Sequence, residues 1–236
     1  MKIIILTTLT PHHIYFVKKI SEHFDIHTTI LEKESLAPSF DTYHSFEKER
    51  EQYERKKLLQ EEKLCFAKYS KTIEFNRIND PACVEFVSKE KPDVIIVFGT
   101  GIIKNAIIEK CPEGIINLHG GDPQFYRGLD SHLWAIYHKE FSMLKVCLHK
   151  VNNILDGGGI IDLKNIIIKK NLELFMLRAE NTKLCVELTL SALKKYEELG
   201  SFQFYSQNSK GRYYSFMPGV LKEICLKNFT NYVKSL

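Results

Sequence analysis

The chain has 236 residues, 44% of them hydrophobic and 26% charged, which suits one large α/β domain or one domain with a small appendage. Its net charge of +4 is spread along the sequence with no Lys/Arg run free of acids, so a nucleic-acid partner is not expected. No stretch approaches the ~20 apolar residues of a membrane span, and a cytoplasmic protein without a membrane partner is expected.

The six cysteines are scattered, with no C-x-x-C pair, and read as small buried hydrophobes of a reducing compartment. Residues 2–6 form a β-branched run of strand length, too short for a signal peptide. The loop TTLTPHH and a helix over residues 13–24 follow. That first turn contains no glycine, which disfavours a dinucleotide fingerprint. His12 and His13 flank it and read as structural or solvent-exposed.

Residues 26–31 predict a second strand. Residues 43–68 carry both signs of charge at helical spacing and predict a solvated helix. Residues 71–77 alternate as a short strand, and Asp80-Pro81 opens a helix with an acid at the cap and proline at the first position. Residues 93–98 (DVIIVF) predict another buried strand, ended by Gly99-Thr100-Gly101 and followed by a helix over 102–110. Three buried strands alternating with helices imply parallel pairing and right-handed crossovers.

The stretch from Gly114 to His138 is the most informative. An apolar run ends in Asn117-Leu118-His119, then come a Gly-Gly-Asp-Pro turn, Tyr126-Arg127-Gly128, and a helix that Asp130 or Ser131 can cap. Successive strand side chains alternate faces, so Asn117 and His119 share one face at the carboxyl end of a strand. Open α/β sheets bind ligands at that edge. Residues 144–151 predict a further strand, in which His149 reads as a packed or edge histidine. The loop after it holds Asp156 ahead of three glycines, which allow a close backbone approach. A strand over 160–168 and a long amphipathic helix over 172–199 close the domain. The tail is aromatic and polar, and predicts a hairpin or short strands around residues 208–211 with a terminal helix after Pro218.

Asn-x-His at a strand end, a Y-R-G loop, and an Asp in DGGGII located 37 positions beyond His119 together resemble the formyltransferases that use N10-formyltetrahydrofolate. Within that family the chain is most similar to the small sugar-nucleotide N-formyltransferases. The resemblance implies a Rossmann-like, doubly wound, mostly parallel sheet over residues 1–200 and a short C-terminal extension, hairpin plus helix, over 201–236. The residues after 200 are too few for the barrel domain of relatives that act on methionyl-tRNA.

The implied activity moves a formyl group from N10-formyltetrahydrofolate to the amine of a dTDP-linked amino-dideoxy sugar, with dTDP-4-amino-4,6-dideoxyglucose for O-antigen synthesis the best match. Another small amine, or a non-catalytic binding module, is the alternative. The resemblance assigns catalysis to Asn117, His119 and Asp156. It assigns folate binding to Phe98, Gly99, Thr100, Gly101, Ile102, Ile103, Leu155, Gly157 and Gly158. Acceptor contacts fall to Gly120, Gly121, Tyr126, Tyr213 and Tyr214, with Arg127 on the pyrophosphate. A homodimer and no metal are expected.

The chemistry accounts for these residue types. An amide such as Asn117 can donate to the oxyanion that forms when an amine attacks a formyl carbon. A histidine works as a base near neutral pH, and a carboxylate can orient it or relay a proton. A rival reading uses His119, Asp122 and His132 as metal ligands.

Overall fold

The two faces of β1 explain how the molecule is layered. In this strand (Ile3–Thr7) Ile3 and Ile5 join one hydrophobic cluster, while Ile4 and Leu6 join the other, as the period of two requires of a strand buried on both sides. The computed structural model describes residues 1–34 and 37–236. Around β1 lie β2 (Ile26–Glu32), β3 (Lys71–Phe75), β4 (Val94–Phe98) and β5 (Ile115–His119), all parallel. Two further strands, β7 (Lys145–Lys150) and β8 (Ile160–Asn165), continue the sheet antiparallel, in the order β3-β2-β1-β4-β5-β7-β8. Two short strands, β6 (Tyr126–Gly128) and β9 (Arg212–Tyr214), pair separately.

Helices α1 (Pro11–Ser21), α2 (Phe46–Leu58), α5 (Ser131–Tyr137), α6 (Leu177–Leu199) and α7 (Gly219–Ser235) contribute to the first cluster. The second is covered by α3 (Pro81–Glu90) and α4 (Asn105–Ile108). Strand order reverses between β1 and β4, so the loops leaving these two strands open a crevice at the carboxyl edge of the sheet. The Rossmann-like, mostly parallel sheet expected from the sequence is present.

Several local expectations are corrected. The helix expected over 102–110 shrinks to the four residues of α4. Backbone groups ahead of it are spent elsewhere: Gly101 N donates to Glu32 Oε2 (2.7 Å), Lys104 N donates to Asn79 Oδ1 (2.8 Å), and Ile102 O accepts from Asn79 Nδ2 (2.8 Å). Asp130 does precede α5, but with φ of 50° and its carboxylate turned away to accept from Met217 N (2.8 Å). The long helix begins at Leu177, after a 3-10 turn over Leu174–Met176.

The tail forms no hairpin with itself. β9 lies parallel to β6 because its backbone bonds, among them Arg212 N to Phe125 O (2.9 Å), reach back to the turn after β5. The terminal helix is present and packs on the end of α5, where Asn228 Nδ2 donates to the Ile136 and Tyr137 carbonyls (both 3.2 Å).

The charge-dense helix differs most from expectation. Phe46, Arg50, Glu54 and Leu58 recur every four residues and make one inward stripe. Glu54 is fully buried and takes two bonds of 2.7 Å from Arg178, while its outward neighbours Glu51 and Arg55 pair in solvent. A carboxylate is tolerated inside because the bidentate guanidinium neutralises it.

Candidate active site

A cavity of about 450 Å³ opens at the carboxyl edge of the sheet. Its first wall is β5 with β7. Antiparallel register sets Asn117 directly across from His149, so two strands deliver an amide and a second imidazole to the same patch. His149 Nδ1 lies 2.8 Å from the Lys150 carbonyl, which can only accept, so this nitrogen carries the proton of the neutral ring. Its Nε2 then accepts from Asn117 Nδ2 at 3.1 Å. That bond orients the Asn117 amide and leaves its second N–H for the cavity that Asn117 lines.

His119, at the end of β5, is buried and donates from Nε2 to the Tyr126 carbonyl (2.8 Å). The same logic puts the neutral ring's proton on Nε2 and leaves Nδ1 as a free base. Nδ1 faces Asp156 Oδ2 at 3.6 Å, and Asp156 Oδ1 lies 3.6 Å from His149 Nε2. The three residues singled out in the sequence therefore meet in one place, with His149 as a fourth.

Asp156 is held there by its surroundings. Its backbone has φ of 49°, and its Oδ2 accepts from Gly128 N (2.8 Å). Burial alone would raise its carboxyl, but the positive charge that the facing His119 and His149 rings carry when protonated, together with the Gly128 N–H, outweighs this and holds it well below the ordinary carboxylate range. Gln207, from the tail, clamps the loop by donating to the Asp156 and Gly158 carbonyls (both 2.8 Å). Gly158 abuts β7 so closely that a Cβ would fall 1.7 Å from the Lys150 carbonyl, which explains that glycine by packing.

The opposite end is shaped by residues 98–103. Gly99, with φ of 81°, lies against the His13 ring, where a Cβ would come within 2.3 Å. Glu32 braces the loop by accepting from Gly101 N (2.7 Å) and Ile78 N (3.0 Å). His12 and His13 are buried rather than solvent-exposed, and both line the cavity wall. Burial, chiefly, drives the His13 ring down to about 3, with Arg178 adding to it, so it is neutral at physiological pH.

Of the expected folate contacts, Phe98, Gly99, Thr100, Gly101, Ile102, Ile103 and Leu155 line the cavity, whereas Gly157 and Gly158 lie behind it. Of the expected acceptor contacts, Gly120 and the exposed Tyr213 line it. Gly121 and Tyr126 do not, and Tyr214 is stacked between Trp134 (5.0 Å) and Tyr126 (5.4 Å). Arg127 is buried away from the cavity, donating to the Pro123 carbonyl (2.8 Å) and to Gln207 Oε1 (2.6 Å). It braces the clamp on Asp156.

The rival metal triad does not converge. Asp122 pairs with Lys145 Nζ (2.9 Å) and His132 donates to the Lys145 carbonyl (2.6 Å). Among the described residues no group of three or more His, Cys, Asp or Glu is arranged to hold a metal. No helix among them is long and apolar enough to cross a membrane.

A Rossmann-like sheet with a histidine, a carboxylate and an amide at its carboxyl edge is equipped to move a proton beside a developing oxyanion. Residues 10–189 match the Formyl transferase family, and the chain belongs to it. Among curated relatives, the bifunctional polymyxin resistance protein ArnA of Wigglesworthia glossinidia brevipalpis is 33% identical over 94 residues, 39% of this chain and 14% of that protein. The chain spans less than half the length of the curated relatives it matches.

Solved structures share the fold. A 4-N formyltransferase from Francisella tularensis aligns with a TM-score of 0.64 and 15% identity, covering 97% of this chain and 87% of that one. The N-formyltransferase from Helicobacter canadensis, solved with folinic acid and dTDP-3-aminofucose, aligns with a TM-score of 0.63 and 19% identity, covering 91% and 71%.

Proposed function

We propose that this protein transfers a formyl group from N10-formyltetrahydrofolate to the amine of a nucleotide-linked amino sugar. The observation that carries the reading is the meeting of Asn117, His119, His149 and Asp156 at one end of a cavity within a formyltransferase fold. Relatives of the same fold bind folinic acid with dTDP-3-aminofucose, or are 4-N formyltransferases, which supports an amino-sugar acceptor. The cavity's volume falls within the ~300–1,000 Å³ of small-molecule sites, and Phe98, Ile103 and Leu155 beside backbone amides suit a flat pterin.

In this reading His119 Nδ1 accepts a proton from the attacking amine as the new C–N bond forms. The free N–H of Asn117 meets the charge developing on the formyl oxygen. Asp156 stabilises the imidazolium across 3.6 Å, while the Tyr126 carbonyl, not Asp156, fixes the tautomer. As the bond to the folate nitrogen breaks, the same proton passes from His119 to that nitrogen. No acyl-enzyme is needed, because the donor is already activated.

The acceptor of choice is dTDP-4-amino-4,6-dideoxyglucose, for O-antigen synthesis, and the enzyme works as a cytoplasmic homodimer. Mass-spectrometric product analysis with N10-formyltetrahydrofolate and a panel of 3-amino and 4-amino dTDP sugars tests this. Formylated product from the 4-amino sugar is expected, and none from any sugar amine would sink the reading.

A further inference from the structure

Among the described residues, three buried side-chain polar atoms have no hydrogen-bond partner, and two of them belong to residues on the wall of this one cavity. They are Arg50 Nε, on α2, and Asn181 Oδ1, on α6. A donor and an acceptor left unpaired in this way are costly to keep, and their clustering is informative.

Arg50 is the more telling. Its single hydrogen bond among the described residues runs from Nη2 to Glu47 Oε1 at 3.2 Å, and the same oxygen also accepts from Lys222 Nζ at 3.1 Å. Burial, and then the neighbouring Arg178 charge, disfavour its charged state, while Glu47, Glu54 and Asp130 only partly offset them. Arg178 cannot serve a ligand in the same way, because Glu54 takes both its Nε and its Nη2. Nor can Arg127, which is not on the cavity wall and is held by Pro123 and Gln207. Arg50 is therefore a half-satisfied guanidinium on the cavity wall. Asn181 stands beside Gly120, next in sequence to His119; its Oδ1 lies 3.5 Å from where a Gly120 Cβ would be. A soft amide torsion can turn that oxygen toward a ligand.

We propose that the wall built by α2 and α6 is the acceptor subsite. Arg50 takes an anionic phosphate of the nucleotide, and Asn181 accepts from a hydroxyl or amine of the sugar near His119. The folate donor then occupies the end formed by residues 98–103 and 152–155. This rests on the formyl-transfer reading for the sugar, but the anion subsite can be measured without turnover.

Calorimetry with dTDP and with inorganic pyrophosphate, and separately with folinic acid, reads the two ends of the cavity. Arg50→Gln should weaken dTDP and pyrophosphate by on the order of ten- to a hundred-fold, as expected for losing a charged hydrogen bond. Arg50→Lys should fall between, because it keeps the charge but not the planar fork. Folinic acid affinity should stay within about two-fold in both. Asn181→Leu should raise the acceptor KM and leave folinic acid binding alone.

Unchanged dTDP affinity in Arg50→Gln, with folinic acid still bound, overturns the proposal. So does failure of the wild type to bind dTDP or pyrophosphate at millimolar concentration. Should Arg50→Gln lose folinic acid through misfolding, Arg50→Lys decides, and an unchanged dTDP affinity there counts against the subsite. Dependence of dTDP binding on Arg50 with no formyl product from any sugar breaks the transfer reading and leaves the subsite standing. Product formation with dTDP binding indifferent to Arg50 does the reverse.

Discussion

The two long walls of the cavity are built on different terms. On the β5–β7 wall the polar side chains are tied to one another or to backbone: Asn117 to His149, His149 to Lys150, His119 to Tyr126, Asp156 to Gly128. On the α2–α6 wall Arg50 Nε and Asn181 Oδ1 have no partner among the described residues. The first wall is organised before any ligand arrives, as chemistry requires of groups that must meet a developing charge. The second has interactions in reserve, as a surface that recognises something does. Substitutions on the first should therefore lower kcat, and substitutions on the second should raise KM.

The sharpest way to break this contrast is His119→Ala. Formyl transfer should fall by roughly 10²–10⁴-fold in kcat with the acceptor KM little changed, as for loss of a general base. A change in KM alone would mean that the paired wall only binds.

The next effect is on stability. Burial, more than any other influence, lowers the His132 ring to about 4, beside Gly120, so it is neutral in the fold and must charge to follow acid. A folded pKa below the unfolded one means that its stabilising contribution is fully present above the unfolded value of 6.5 and is lost as pH falls toward 4. The shift corresponds to roughly 3 kcal/mol, so the melting temperature should drop over that window by several degrees. His132→Gln should flatten that drop in a pH series of thermal melts.

Gln207→Ala tests how far the paired wall depends on its clamp. Without it the Asp156 and Gly158 carbonyls and Arg127 Nη2 lose their partner. We expect kcat to fall by about ten-fold, equivalent to one ordinary hydrogen bond, with folinic acid affinity reduced less. The smallest effect belongs to the outer face of α2. Glu51→Lys breaks an exposed pair with Arg55 and should leave kcat and KM within about two-fold, since such pairs contribute ~0.2–1 kcal/mol. A large loss there would erase the distinction between the helix's two faces.

The same helix shows where sequence reading stopped. Its inward stripe is Phe46, Arg50, Glu54 and Leu58, half of it charged, so hydrophobic periodicity gave no sign that the stripe faces the protein. The bidentate bond from Arg178, contributed by a helix far along the chain, makes Glu54 tolerable inside. His149 was passed over for a related reason. Its alternation within β7 was visible, but the register that sets it against Asn117 depends on an antiparallel pairing that no local pattern encodes. Gln207 sits in a polar stretch with nothing to mark it.

By itself the sequence determined the buried strands, the doubly wound order of elements and the Asn-x-His strand end, because these follow from local rules. A β-branched run has one favourable burial, and period-two alternation places 117 and 119 on one face wherever the strand lies. The recurrence of Asp156 at its family spacing belongs to the same level. The tertiary structure alone decided which nitrogen of His119 is free, what clamps Asp156, that Arg127 braces rather than lines the cavity, and that Arg50 faces inward. Each of these depends on hydrogen bonds between segments far apart in sequence. Such bonds are chosen when whole elements pack, since a buried donor or acceptor must find whatever partner the fold brings to it.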